Sequence, residues 1–392
     1  MGGPTDDHDG TGPGGDGSDP TATERCDFCQ LPISTVTVNA DVDGATYQFC
    51  TTACRDAMLE SDRVFTEYRG HRFLHTGVSV LDAQLPQGLL RNSFVLCSGT
   101  TGTREDALHA EIVWRTLRRD EPAIYLAFDE PPTSVVENFL TLGWNVLPYL
   151  ETGQLHILDC FTYRLGDRER LLSRMNDWNR HVNAIAEPST TAVHDPSEVS
   201  QVMSKLDSCL DDMNMVDRGI VLIDSLTEFG TLLGPVQPYD LVKDVRAEIC
   251  KGRFVPVFAG STVRNDAEEF PHDLEYLVDG VVDMRLNPEI VEDTLIKQIR
   301  IRKMSGVLAI PEWTAYEFTS GQGLVMFDPE VEIEKAREER EASAADDGTD
   351  DDEAVEASTD PPAEAPGEPA QPARDSTRTD QSSAAETGDD GS

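Results

Sequence analysis

The chain of 392 residues is long enough for two or three domains, yet only 39% of it is hydrophobic, below the share that a fully packed globular chain carries. Acids outnumber bases 73 to 32, giving a formal charge of -41. A surface of that sign repels phosphate backbones and anionic membranes, which excludes a nucleic-acid coat protein and a membrane-surface binder.

Residues 1–24 hold six acids and no Lys or Arg, with almost nothing apolar to offset ordering entropy, so a disordered acidic N-terminus is expected. The opening MGGPTDDHDG lacks both the cationic and the apolar region of a signal peptide, and no apolar run reaches the roughly 18 residues that span a bilayer. A cytoplasmic protein is expected. Its basic residues are six Lys and 26 Arg, and this lysine-poor, aspartate-rich balance resembles that of cytosolic proteins of salt-in halophiles.

Residues 25–62 contain CDFC and, after twenty residues, CTTAC, which place Cys26, Cys29, Cys50 and Cys54 at two ligand spacings. Four thiolates so arranged close a tetrahedron around Zn²⁺ and leave no open position, which favours a structural over a catalytic metal. Between the pairs, Val36 and Val38, then Tyr47 and Phe49, recur at period two about an Asp43-Gly44 turn and predict a β-hairpin. Knuckle, hairpin and helix start make a treble-clef-like module whose stability comes largely from the metal. The segment resembles the TRASH and YHS-like four-cysteine fingers, a likeness that implies structural, protein-binding or metal-sensing roles without choosing among them. The other cysteines, Cys97, Cys160, Cys209 and Cys250, lie in apolar stretches and are expected in the core.

Residues 63–330 alternate short apolar runs with amphipathic segments. Strands are predicted at Phe94–Ser98, Ala123–Phe128, Leu155–Asp159, Ile220–Asp224 and Phe254–Ala259, and helices near 104–119, 132–142, 164–185, 200–214 and 238–251. Continuous apolar strands between helices predict an α/β fold, a mainly parallel sheet covered by helices on both faces. The first strand runs into Ser98-Gly99-Thr100-Thr101-Gly102-Thr103-Arg104-Glu105-Asp106, a Gly-rich turn opening a helix, where a phosphate-binding loop would stand. His71, His75 and His156 show no partner spacing and are read as surface or core histidines.

Several stretches resemble the KaiC branch of the RecA-like ATPases: GVSVLDAQLPQGLLRNSFVLCSG before the loop, AIYLAFDEPP ending in the paired acids Asp129 and Glu130, and GIVLIDSLTEF with Asp224 at its Walker B strand end. LEYLVDGVVDMRL and IRIRKMSG resemble its closing strands, and LPYLETGQLHILD also resembles the KaiC-like sensory domains called MEDS. The resemblance implies a RecA-like fold in which Asp224 stands where an intact site holds Mg²⁺ and the paired acids position water. A working loop reads GxxxxGK[ST]. Here Gly99, Gly102 and Thr103 stand in the loop, but Arg104 replaces the second required Gly, Glu105 the Lys and Asp106 the Ser/Thr. A vestigial site is therefore expected, with ATP and Mg²⁺ not bound and Asp129, Glu130 and Asp224 left as remnants.

Residues 331–392 carry 20 acids and 5 bases and are expected to form a disordered acidic tail. The whole predicts a non-catalytic regulatory or signalling protein that joins a zinc module to a degenerate KaiC/RecA-like domain. Its expected partners are proteins or further copies of itself, met through the RecA-like domain, with neither nucleic acid nor membrane among them. Two alternatives stay open: an active ATPase with an unusual loop, and a heavy-metal sensor.

Overall fold

The computed structural model describes residues 24–29, 31–33, 37–42, 44–60, 72–164, 173–233, 237–263, 274–291, 294–332 and 334–335. Both expected acidic tails, all of 1–23 and nearly all of 331–392, lie outside them, as do Val36, Asp43 and His71. The chain divides after Glu334, and the first unit is the one described here.

The cysteine-rich segment forms a two-stranded antiparallel hairpin, β1 (Val38–Val42) and β2 (Ala45–Phe49), followed by helix α1 (Thr52–Glu60). The hairpin pairs Val38 with Phe49 and Val42 with Ala45, and Gly44 supplies the left-handed backbone that its turn requires. Phe49, Met58 and Cys26 bury together in a core too small to hold the module alone.

After a short ribbon, β3 (Phe73–Leu74) with β4 (Leu89–Leu90), and helix α2 (Ser79–Asp82) between them, the chain enters a ten-stranded sheet. Its parallel part consists of β5 (Phe94–Thr100), β6 (Ala123–Ala127), β7 (Leu155–Asp159), β8 (Thr190–Ala192), β9 (Ile220–Asp224), β10 (Val257–Val263) and β11 (Gly280–Val291). β12 (Thr294–Met304), β13 (Thr314–Thr319) and β14 (Gly323–Met326) extend it antiparallel, in the order β14-β13-β12-β11-β5-β10-β9-β6-β7-β8.

Successive residues of a strand face opposite sides, and both sides here are apolar. Val95 and Cys97 join one core with Leu108 and Val136; Phe94 and Leu96 join the other with Leu206 and Leu241. The helices that cover the sheet are α3 (Glu105–Leu117), α4 (Pro132–Thr141), α5 (Leu147–Glu151), α6 (Asp177–Ala186), α7 (Val199–Asp212), α8 (Leu226–Leu233) and α9 (Gln237–Asp244). The RecA-like α/β expectation holds, and Cys97, Cys160, Cys209 and Cys250 are all buried.

Several boundaries differ from the sequence reading, among them that β5 runs on to Thr100 and β10 to Val263. The strand expected from Phe254 begins at Val257, because Phe254 has a φ of 56° that no strand accommodates. The helix expected over 238–251 is α-helical only to Asp244 and then widens into a π-turn over Val245–Lys251. Of the helix expected over 164–185, residues 165–172 lie outside the described set and the regular helix runs Asp177–Ala186.

Candidate functional site

Order in the sheet sets the site. β5 and β9 both border β10, and their C-terminal ends open onto one crevice of about 680 Å³, where ligands of open α/β sheets bind. Gly102, Thr103, Arg104, Glu105 and Asp106 line it from the loop and the start of α3; Asp129, Glu130 and Asp224 line it from the ends of β6 and β9. Every acid singled out in the sequence is therefore brought to one place. Gly99 lies at the end of β5 beneath it.

The loop is closed by its own groups. Thr103 gives its N–H and its hydroxyl to the carbonyl of Thr100, at 3.1 and 2.8 Å, and Gly102 takes a φ of 94°. Arg104 is left-handed at φ 62°, a conformation that costs a non-glycine residue about 1–2 kcal/mol and that suits the glycine of the intact motif. Its guanidinium lies 5.1 Å from the Phe318 ring and 3.3 Å from Asp106, while the Tyr316 hydroxyl donates to the Thr103 carbonyl at 2.5 Å.

Glu105 turns inward. Its Oε1 accepts the Ser261 N–H at 2.7 Å, and a Cβ on Gly99 would come within 2.8 Å of Oε2. One helical turn on, His109 sits between two acids, Nε2 3.7 Å from Glu105 and Nδ1 3.7 Å from Asp224, and is 1% exposed. A Cβ on Gly260 would overlap its ring, so this glycine in β10 makes room for the imidazole. Asp224 also accepts the Tyr125 hydroxyl, and Ser225 donates to Asp129 at 3.3 Å.

The charges respond to crowding. Burial pushes Glu105 up to about 7, with Asp224 and Asp129 adding repulsion against the pull of His109 and the Ser261 N–H. Asp129 rises to about 6 and Glu130 to about 7, first through burial and then through Asp224. Burial also opposes charge on His109 and Asp224, yet each holds the other ionised: the ring titrates well above its ordinary value and Asp224 below. His109 is the residue that sequence reasoning missed. The available signal was its place four residues after Glu105, which puts both on one face of α3. His75 is exposed, and His156 is half-buried against the Thr191 hydroxyl at 2.9 Å.

In the N-terminal module the four sulfurs of Cys26, Cys29, Cys50 and Cys54 all lie within 4.8 Å of one another. Cys29 Sγ is 3.6 Å from Cys50 Sγ, which is 3.7 Å from Cys54 Sγ, close to the roughly 3.8 Å edge of a zinc tetrahedron with bonds of about 2.3 Å. The donor set fits such an ion. Cys26 N–H donates to Leu31 O at 2.9 Å, closing the knuckle, and Asp27 N–H donates to Gln48 O on β2 at 2.8 Å, so the two cysteine pairs are tied by backbone bonds.

The KaiC ATPase family matches residues 74–331. The chain belongs to that family. Among curated relatives, UPF0273 protein PH0284 of Pyrococcus horikoshii is 23% identical over 66% of this chain and 96% of its own length. The UPF0273 protein of Thermotoga maritima is 24% identical over 65% and 96%, and MK0039 of Methanopyrus kandleri 26% over 67% and 95%. The crystal structure of the KaiC-like protein PH0186 from P. horikoshii covers 66% of this chain at a TM-score of 0.50 and 15% identity, a likeness of fold. The four-cysteine segment lies outside the residues that the family matches. Among the described residues no helix is long and apolar enough to cross a membrane.

Proposed function

We propose that this KaiC-family chain is a non-catalytic regulatory protein, in which a metal-stabilised four-cysteine module is joined to a domain whose nucleotide crevice no longer holds ATP. The observation that carries it is Glu105. At the position where the family's loop directs a lysine at phosphate, a carboxylate sits at the positive end of α3, bound to the Ser261 N–H and facing His109. Two unit charges about 4 Å apart interact by roughly 4 kcal/mol at an effective dielectric of 20, so exchanging Lys for Glu turns attraction into repulsion of similar size. The residues present do not fit a triphosphate.

The test is a titration with Mg-ATP, together with turnover. Wild type is expected to bind weakly and to hydrolyse negligibly, and Glu105→Lys with Asp106→Thr to bind at least tenfold tighter, more so with Arg104→Gly. Micromolar ATP affinity in wild type, unimproved by reversion, would overturn the reading. It would favour the second one, an ATPase with an unusual cradle, for which the retention of Asp129, Glu130 and Asp224 around one crevice speaks.

For the cysteine module the reading is a structural Zn²⁺ held by Cys26, Cys29, Cys50 and Cys54. About one zinc per chain is expected by metal analysis, and none in Cys50→Ser, Cys54→Ser; stoichiometric zinc persisting in that variant would remove the site. Ready exchange with a softer ion, with a change in self-association, would instead favour metal sensing.

A further inference from the structure

The chain has eight cysteines, and the fold sorts them by access. Cys97, Cys160, Cys209 and Cys250 are buried in the sheet domain and Cys26 in the four-cysteine module, while Cys29, Cys50 and Cys54 are half-buried. Thiols buried in apolar surroundings are inert, and an oxidant in water reaches the more exposed ones first. Reaction with a dissolved oxidant is therefore concentrated on three sulfurs. All three belong to one ligand set.

Those three are also neighbours. Cys50 Sγ lies 3.6 Å from Cys29 Sγ and 3.7 Å from Cys54 Sγ. An approach of about 1.6 Å brings either pair to the roughly 2.05 Å of a disulfide. The two partners differ in freedom. Cys54 stands in the first turn of α1 with its N–H held by the Thr51 hydroxyl at 3.1 Å, and a bond to Cys50, four residues away, would close a tight ring across that cap. Cys29 stands in the knuckle, 21 residues from Cys50, and meets it at the end of β2 with no helix turn to distort.

We propose that the four-cysteine module is a redox switch, in which an oxidant of the peroxide class joins Cys29 to Cys50 and so takes the metal site apart. The proposal rests on the reading of this module as a structural zinc site. One thiolate of the pair attacks a peroxide oxygen; the O–O bond breaks, hydroxide leaves, and the sulfur, oxidised by two electrons, becomes a sulfenic acid. The other thiolate attacks that sulfur, the S–O bond breaks, and a second hydroxide leaves. Two thiolates and one peroxide thus give one disulfide and two hydroxides. Cys26 and Cys54 remain, and two sulfurs do not close a tetrahedron. The buried residues then left to hold the hairpin and α1 are Cys26, Phe49 and Met58, whereas the two cores of the sheet domain include no residue of the module. Oxidation therefore unfolds the module and leaves the sheet standing. In a regulatory protein that change of order is an input.

The experiment treats the full chain with hydrogen peroxide and follows zinc release to a chromogenic chelator, cysteine pairing by peptide mapping, and amide hydrogen exchange. Zinc is expected to leave in step with a Cys29–Cys50 crosslink, exchange to quicken in β1, β2 and α1 but not in β5 or β6, and a dithiol with added Zn²⁺ to reverse all three. Cys29→His keeps four ligands, since histidine serves in such sites, but cannot form the disulfide. It is expected to hold zinc and to release it at least tenfold more slowly under peroxide. Zinc retained by oxidised wild type, or release from zinc-loaded Cys29→His as fast as from wild type, overturns the proposal. If Cys29→His binds no zinc, the wild-type map decides: a Cys29–Cys50 crosslink supports the switch and any other pairing overturns it. Absence of zinc from untreated wild type overturns the underlying reading instead, so the two failures are told apart before peroxide is added.

Discussion

Glu105 has a side chain 15% exposed and titrates at about 7, against 4.5 for a free glutamate, so the folded protein holds a proton there across a window in which the unfolded chain has released it. Its contribution to stability is thus fully present at low pH and is lost as pH rises from about 4.5 through 7. At about 1.4 kcal/mol per pK unit, the ionised side chain costs the fold on the order of 3 kcal/mol above pH 7. Glu105→Gln is therefore expected to raise stability at pH 8 relative to wild type and to leave it little changed at pH 5, read by urea unfolding at both. A uniform loss at the two pH values would mean that the carboxylate acts as a structural acceptor for Ser261 and not as an unmatched charge. At this scale the sequence was legible for Asp129, Glu130 and Asp224, which end predictable apolar strands, but not for Glu137, which reaches the crevice from within α4. It was silent on how Glu105 points. That depends on Ser261, from β10 far along the chain, and on a histidine whose partner Asp224 lies on another strand.

β10 shows what an element's sequence hides. Its apolar run reads as a strand, but where it starts is fixed by Phe254 in a left-handed conformation, and no local pattern announces that. Likewise Val245–Lys251 continues a helical periodicity while its backbone opens into a π-turn, a shift of one residue in hydrogen bonding that side-chain spacing does not resolve. Gly260, in the middle of this strand, looks like a weak point by propensity. Its use is tertiary: it gives α3 the space to lay His109 against the sheet. Gly260→Ala is expected to destabilise the protein by about 1–3 kcal/mol, the cost of overpacking a filled site. Part of that loss should be recovered in Gly260→Ala with His109→Ala, because the clash is with the ring. If the double variant is worse than the sum of the two single ones, the glycine serves the strand and not the histidine.

For the whole molecule the dominant quantity is charge. Of the formal -41, residues 25–330 carry -20, so repulsion acts within the folded domain and not only between the terminal segments. In the crevice burial first, and this repulsion after it, raises Asp129, Glu130 and Glu105. Self-repulsion lowers the stability of a compact state, and added salt screens it, over about 10 Å at 0.1 M and about 3 Å at 1 M. Among the described residues the ion pairs range from exposed ones, such as Arg180 with Asp177, to half-buried ones, such as Arg246 and Lys251 with Asp279; an exposed pair loses at most a fraction of about 1 kcal/mol to the same screening, and the half-buried ones are screened less. Relief of repulsion among so many acids outweighs that loss. The melting temperature is therefore expected to rise steadily from 0.1 to 2 M KCl at pH 8, by roughly 2–4 °C for each 1 kcal/mol regained. The rise should be smaller at pH 5, where the crevice carboxylates hold protons and less repulsion remains to be screened. Because potassium chloride changes hydration of apolar surface far less than sulfate does, an equal rise at both pH values would point away from charge. A fall at pH 8 would show that the paired arginines, and not the unpaired acids, set the electrostatic balance of this fold.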